Sequence, residues 1–166
     1  MKYVSTRGQA PVLEFGEVLL AGLATDGGLY LPDEWPAPTA TQGWSGVGYQ
    51  DVATAVMAPY VAPTLSDADL ASMVEAAYAT FTHPDVCPVT PLGVDGLHLL
   101  ELFWGPTIAF KDIALQLLGH LFDHELTTRG QRATIVVATT VLFAVVLVGR
   151  TVARSVERRD TGPRAG

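Results

Sequence analysis

The chain has 166 residues, 49% of them apolar, enough for one domain with a sizeable core. A formal charge of −7 excludes the basic face that nucleic-acid phosphates require. A single cysteine, Cys87, excludes an internal disulfide and a Cys-rich zinc site, and "MKYVSTRGQAP" lacks the apolar stretch of a secretory signal, so a cytoplasmic protein is expected. The average charge hides a split. Residues 1–128 hold three basic and fifteen acidic groups, whereas 129–166 hold seven Arg against Glu157 and Asp160.

In chain order, Phe15, Val18, Leu19 and Gly22 fall at helical spacing and stop at Asp26-Gly27-Gly28, which predicts a helix over about 12–24 and then a loop. Residues 36–48, rich in Pro, Gly, Thr and Ser, read as an exposed connection. A helix over about 50–58 is expected to end at Pro59. Another is expected over about 67–81, capped by Ser66 with Asp69 three residues on, with Leu70, Met73, Val74, Ala77 and Phe81 as its apolar stripe. Cys87, before Pro88 in a loop, reads as structural. Pro88 and Pro91 mark an extended approach, Asp95-Gly96 a turn, and Leu97 to Phe103 a strand that ends at Gly105-Pro106. Phe110, Ile113, Ala114, Leu117, Leu118 and Leu121 then predict an amphipathic helix over 110–126, closed by Arg129-Gly130, and "RATIVVATT" starts a new strand. Strand, helix, strand is the grammar of an α/β protein. His120 and His124 stand four apart with no third ligand in view, so they read as helix surface and no metal is expected.

Lys111 is the unusual residue, because only two of the ten basic residues are lysines and this one lies within the apolar run "LELFWGPTIAFKDIALQLLGHL". In the first turn of a helix the positive end of the dipole disfavours an ammonium, and an apolar setting disfavours it further. A neutral amine is a nucleophile toward a carbonyl, whether a sugar aldehyde or pyridoxal phosphate. The same pattern also fits a lysine that snorkels to water and pairs with Asp112 or Glu101.

Three stretches resemble a known family: "YVSTRG" at 3–8, "GLATDGGLYLP" at 22–32 and "LELFWGPTIAFKD" at 100–112 are similar, in this order, to the N-terminal region of threonine synthases. The resemblance implies an α/β fold, here the N-terminal part of a pyridoxal-phosphate fold of the tryptophan-synthase β type, incomplete in this chain. It implies pyridoxal 5'-phosphate as cofactor, held as an imine by Lys111, and conversion of O-phospho-L-homoserine and water into L-threonine and phosphate. Lys111, once released from the cofactor, is then placed to move protons between substrate carbons. Phe110 and Trp104 are candidate walls of the cofactor pocket, Thr107 a hydrogen-bond donor beside it, and Asp112 either a cofactor contact or a group that stabilises the first turn or orients its neighbour. Ser5, Thr6 and Arg7 are the candidate substrate contacts, with the guanidinium suited to a phosphate.

The resemblance runs over 1–136 and then stops, because "VATTVLFAVVLVGRTVARSVERRDTGPRAG" carries neither the family's Ser-Gly-Asp-Thr-Gly type loop nor its later phosphate-cradling loop. Residues 137–166 are therefore expected to be a divergent, foreign or frameshifted tail, and the chain to turn over little or no substrate. A different class of function rests on Ala133 to Gly149, seventeen uncharged residues flanked by Arg: a non-catalytic fragment anchored in a membrane, or self-associating through that segment. The Val, Ile and Thr content of the run favours a buried strand over a span.

Overall fold

The structure, a computed structural model, describes residues 1–37 and 43–134. It divides into two compact units, Met1–Leu117 and Leu118–Gly166. The expected boundary at 136/137, the run 135–149 and most of the strand proposed in "RATIVVATT" lie outside the described residues.

The first unit opens with a small antiparallel sheet ordered β2-β1-β3, made of β1 (Lys2–Ser5), β2 (Leu13–Glu14) and β3 (Tyr30–Pro32). Tyr3 sits opposite Leu13 on one side and Pro32 on the other. Helix α1 is shorter than its apolar spacing predicts: it spans Phe15–Ala21, because residues 13 and 14 are drawn into the sheet and Gly22, at φ +68°, stops the helix before the Asp26 loop. The Glu17 carboxylate accepts the Glu14 N–H at 3.0 Å, satisfying a donor at the helix start.

Helix α2 (Tyr49–Val61) contains Pro59 and runs two residues past it, which corrects the expected stop. In the last turn the missing N–H of Pro59 removes one hydrogen bond, while the Ala62 N–H still reaches the Ala58 carbonyl at 3.1 Å. The buried Val61 and the Tyr60 carbonyl, which accepts from the Tyr3 hydroxyl at 2.8 Å, hold that turn in place, and Pro63 follows directly after the cap. Helix α3 (Asp67–Tyr78) packs on α2 and starts as the sequence predicts: the Ser66 hydroxyl accepts from the Asp69 N–H at 3.1 Å, a cap that contributes about 1 kcal/mol. Leu70, Val74 and Ala77 of the predicted stripe are all 0% exposed and form the centre of the core, whereas Met73 is half-buried and Phe81, also half-buried, lies past the helix end. Burying a side chain such as Leu70 contributes about 1.5–3 kcal/mol. Tyr78, which ends α3, is buried beside them and packs edge-on against Tyr49 and Phe81.

The predicted strand at 97–103 contracts to β5 (His98–Leu100), paired antiparallel with β4 (Val89–Pro91). The Glu101 N–H still bonds the Pro88 carbonyl (3.0 Å), and its carboxylate accepts from both the Thr90 hydroxyl (2.7 Å) and the Trp104 ring N–H (2.8 Å), tying the end of the hairpin to the stretch that follows. Helix α4 spans Asp112–Thr128. The second unit holds its C-terminal part, where Gly130 at φ +62° follows Arg129. There the Gln131 N–H bonds the Leu126 carbonyl (2.8 Å) and the Gly130 N–H bonds that of Thr127 (3.1 Å), closing the helix in a Schellman motif at the predicted place. The described strand pairs are antiparallel, and among the described residues no helix is long and apolar enough to cross a membrane.

Candidate active site

The "FKD" stretch forms a tight turn ahead of α4. The Lys111 carbonyl accepts from the N–H groups of Ala114 (3.2 Å) and Leu115 (2.9 Å), the position of a residue that caps a helix. Lys111 therefore stands just before the helix, where the sequence placed it in the first turn. Its side chain is exposed, with Nζ 4.3 Å from the centre of the Phe110 ring. The apolar burial expected for this amine is not met by the described residues. The amine is accessible and lies over the face of an aromatic ring.

Asp112, next in sequence, is 1% exposed. One of its carboxylate oxygens accepts from the Thr107 N–H at 2.8 Å and the other from the Thr107 hydroxyl at 2.5 Å. The two candidate cofactor contacts Asp112 and Thr107 are thus turned on each other. Gly105 is packed against this pair: a Cβ there would fall 2.5 Å from the Asp112 Cβ, so the turn admits only glycine without movement. Between them Ile108 adopts φ +63° with its side chain 74% exposed. A left-handed β-branched residue costs about 1–3 kcal/mol, so its surroundings must hold it there. Two further bonds fix the ends of the turn. Thr82 donates its N–H (3.0 Å) and hydroxyl (3.2 Å) to the Trp104 carbonyl, and the Tyr78 hydroxyl donates to the Ile113 carbonyl at 3.0 Å. Trp104 itself is half-buried between Glu101, Phe103 and His83.

The "STRG" and "TDGG" stretches meet in a second turn centred on Asp26. Its carboxylate accepts from the Ser5 hydroxyl (2.8 Å) and the N–H groups of Gly28 (2.9 Å), Gln9 (3.0 Å) and Ala10 (3.0 Å). Burial pushes this carboxyl up, but the hydrogen bonds from Gly28, Ser5, Gln9 and Ala10 outweigh it and hold the group below its ordinary range. The Thr6 hydroxyl oxygen accepts from the Leu29 N–H at 3.0 Å, and one Arg7 guanidinium nitrogen donates to the Asp26 carbonyl at 2.9 Å. A Cβ on Gly28 would lie 2.3 Å from the Ser5 hydroxyl, so motif and loop are fitted together. Of the three candidate substrate contacts, Ser5 and Thr6 are engaged in this turn, and Arg7 is exposed with further donors in its fork.

Sequence reasoning did not find the cluster of Tyr49, Tyr78 and Cys87. Burial pushes the Tyr49 hydroxyl far up, with Tyr78 and Cys87 adding to it, and burial likewise raises the Cys87 thiol against a smaller opposing effect from its hydrogen bond to Tyr49. A thiol in this state is a poor nucleophile at neutral pH, in keeping with the structural part given to Cys87. The signal available was the aromatic content of the two helix ends, which carries no chemistry by itself.

What the fold defines is a mixed helix-and-strand chain. Residues 2–78 match the family model "Threonine synthase N terminus". The chain is 51% identical over 141 residues to threonine synthase of Pseudomonas aeruginosa, an alignment covering 84% of this chain and 30% of that protein. Among solved structures it is similar to the pyridoxal-phosphate-bound threonine synthase of Brucella melitensis, with TM-score 0.75 and 52% identity over 80% of this chain and 29% of that one. It is also similar to threonine synthase of yeast, with TM-score 0.71 and 42% identity over 77% of this chain and 27% of that one. By sequence and by fold the matched part of this chain is similar to the N-terminal portion of threonine synthases. The chain spans about 30% of the length of the Pseudomonas relative.

Proposed function

We propose that the chain carries the cofactor lysine of a threonine synthase-like lyase, with Lys111 as the attachment point for pyridoxal 5'-phosphate and O-phospho-L-homoserine as substrate. The observation that carries the reading is the placement of Lys111: an accessible amine at the head of α4, on a turn whose polar side chains are already satisfied, within the stretch shared with the family. The residues present fit the aldehyde end of the cofactor, which needs a free primary amine, and Phe110 gives that amine an aromatic neighbour at 4.3 Å. When bound, the cofactor supplies an electron sink for carbanions on the substrate, so that a γ-phosphate can leave. Lys111 contributes the amine that holds the cofactor and, when released, a base on a flexible stem that moves protons at the substrate carbons. Arg7 is the substrate contact that remains open, because its fork can meet a phosphate bidentately while Ser5 and Thr6 hold the turn beneath it. The chain matches only about 30% of the length of the Pseudomonas relative, so the 166-residue chain alone is expected to show little or no turnover.

The test is to add pyridoxal phosphate to the protein, reduce with borohydride and locate the adduct by peptide mass spectrometry. An adduct on Lys111 in clear excess over Lys2, with the excess lost in urea, supports the reading. Equal labelling of both lysines in the folded state overturns it.

A further inference from the structure

We infer that Asp112 is a positioning residue for Lys111, forming with Thr107 and Gly105 a latch that holds the strained 105–111 turn and so sets where the amine is rooted. The inference rests on Lys111 being the cofactor lysine, and assigns to Asp112 no contact with cofactor or substrate.

Four observations converge. Asp112 is a carboxylate removed from solvent with no cation bonded to it among the described residues, and each of its oxygens takes a Thr107 donor. Such a group is retained where its hydrogen bonds fix a conformation, since burying it without partners is strongly unfavourable. Gly105 leaves no room for a Cβ, so the backbone closes directly onto Asp112. Ile108, at φ +63°, stays left-handed only if the residues on either side are held, and the Asp112 to Thr107 bonds span it. The two sides of the turn are tied down independently, at Trp104 by Thr82 and at Ile113 by Tyr78. Phe110 and Lys111 lie outside this closed ring of bonds, exposed like Pro106 and Ile108, and Lys111 carries the one ionisable side chain among these four. A latch that faces inward and presents one amine outward is a device for placing that amine.

The latch also explains why the aspartate follows the lysine directly. Adjacent residues at a helix start point to different sides, so the residue after the capping position reaches back under the turn while the capping residue stays outside it. A carboxylate one position later would sit on another face of α4 and miss Thr107.

The experiment compares variants by the Lys111 to Lys2 ratio of borohydride-trapped pyridoxal phosphate, together with amide hydrogen exchange of Thr107. In Asp112→Ala the ratio is expected to fall on the order of tenfold, toward the value in urea, because a misplaced amine loses its orientational advantage. The Thr107 amide should lose its protection in parallel. Asp112→Asn, whose side-chain oxygen can still accept the Thr107 N–H and whose amide can donate to the hydroxyl, should keep most of the ratio, as should Thr107→Ser. A carboxylate that acted chemically would be lost equally in Asn and Ala. Leu70→Ala removes a core side chain remote from the turn in sequence, and serves as a variant of lowered stability whose ratio per folded molecule should stay at the wild-type value. Adding Ile108→Gly to Asp112→Ala should recover part of the ratio by removing the strain the latch opposes. If wild-type protein labels Lys111 and Lys2 equally, the cofactor assignment falls and this inference with it. If wild type favours Lys111 and Asp112→Ala does so equally while Thr107 exchanges freely, only the positioning role is overturned.

Discussion

Asp26 and Asp112 each sit at the centre of a turn and gather hydrogen bonds from the chain around them, yet they leave different things at the surface. The Asp26 turn buries one of its three motif side chains, Ser5, which bonds the carboxylate; Thr6 and Arg7 are exposed, with the Thr6 hydroxyl taken by the Leu29 amide and the Arg7 fork only partly taken by the Asp26 carbonyl. The Asp112 turn closes on Thr107 and Gly105 and leaves Lys111 and Phe110 outside. Left-handed backbone is placed on Gly27 in the first and on Ile108 in the second. Glycine adopts that conformation freely and isoleucine does not, so the first turn is relaxed where the second stores strain. A motif residue therefore belongs to the scaffold or to the chemistry according to whether its polar atoms are already taken.

The largest effects should come from adding a methyl group where the two turns are closest packed. Gly28→Ala and Gly105→Ala bring a Cβ within 2.3 Å of the Ser5 hydroxyl and 2.5 Å of Asp112. Each should lower stability by about 1–3 kcal/mol in urea unfolding, and a much smaller loss for Gly105→Ala would show the Asp112 turn to be the looser of the two. Next, Ile108→Gly should raise stability by about 1 kcal/mol, the relieved strain exceeding the extra chain entropy of glycine. Gly27→Ala should destabilise instead, as its Cβ would meet the Arg7 guanidinium at 2.9 Å. Equal signs for these two substitutions would erase the distinction between a relaxed and a strained turn.

A smaller effect is set by pH. The folded-state pKa of Asp26 lies below its ordinary value of 3.8, so its contribution to stability is complete above that value and is lost as pH falls through the folded pKa. Wild type should accordingly lose stability relative to Asp26→Asn as pH drops below about 4, measured by thermal unfolding across a pH series. The smallest effect on stability is expected at Lys111: Lys111→Ala should change it by no more than about 0.5 kcal/mol while abolishing the site-specific adduct.

Most of the helical frame was legible in the sequence, because capping and periodicity are local. Ser66 with Asp69 fixed the start of α3, and Arg129-Gly130 the end of α4. The misses occur where longer-range pairing overrides local signals: Leu13 and Glu14 joined β1 in place of α1, and Val61 and Tyr60 carried α2 past Pro59 through contacts made elsewhere. In the site, the resemblance singled out Lys111 and named Asp112 and Thr107 as its neighbours. That those two bond each other was invisible, since a spacing of five across a non-helical turn has no periodic signature. The expected burial of Lys111 came from averaging over an apolar run, and the capping position turned the side chain out of it.

The Tyr49, Tyr78 and Cys87 cluster gives the protein a built-in clock. Cys87 is the sole thiol in the chain, and burial holds its pKa up while the Tyr49 hydroxyl bonds it. Tyr49 begins α2 and Tyr78 ends α3, and Cys87 is half-buried beside them, so a thiol reagent should react slowly with the folded protein and faster when that helical pair parts. The rate of alkylation then times the opening of α2 from α3 without any added label, and its dependence on urea separates local parting from complete unfolding.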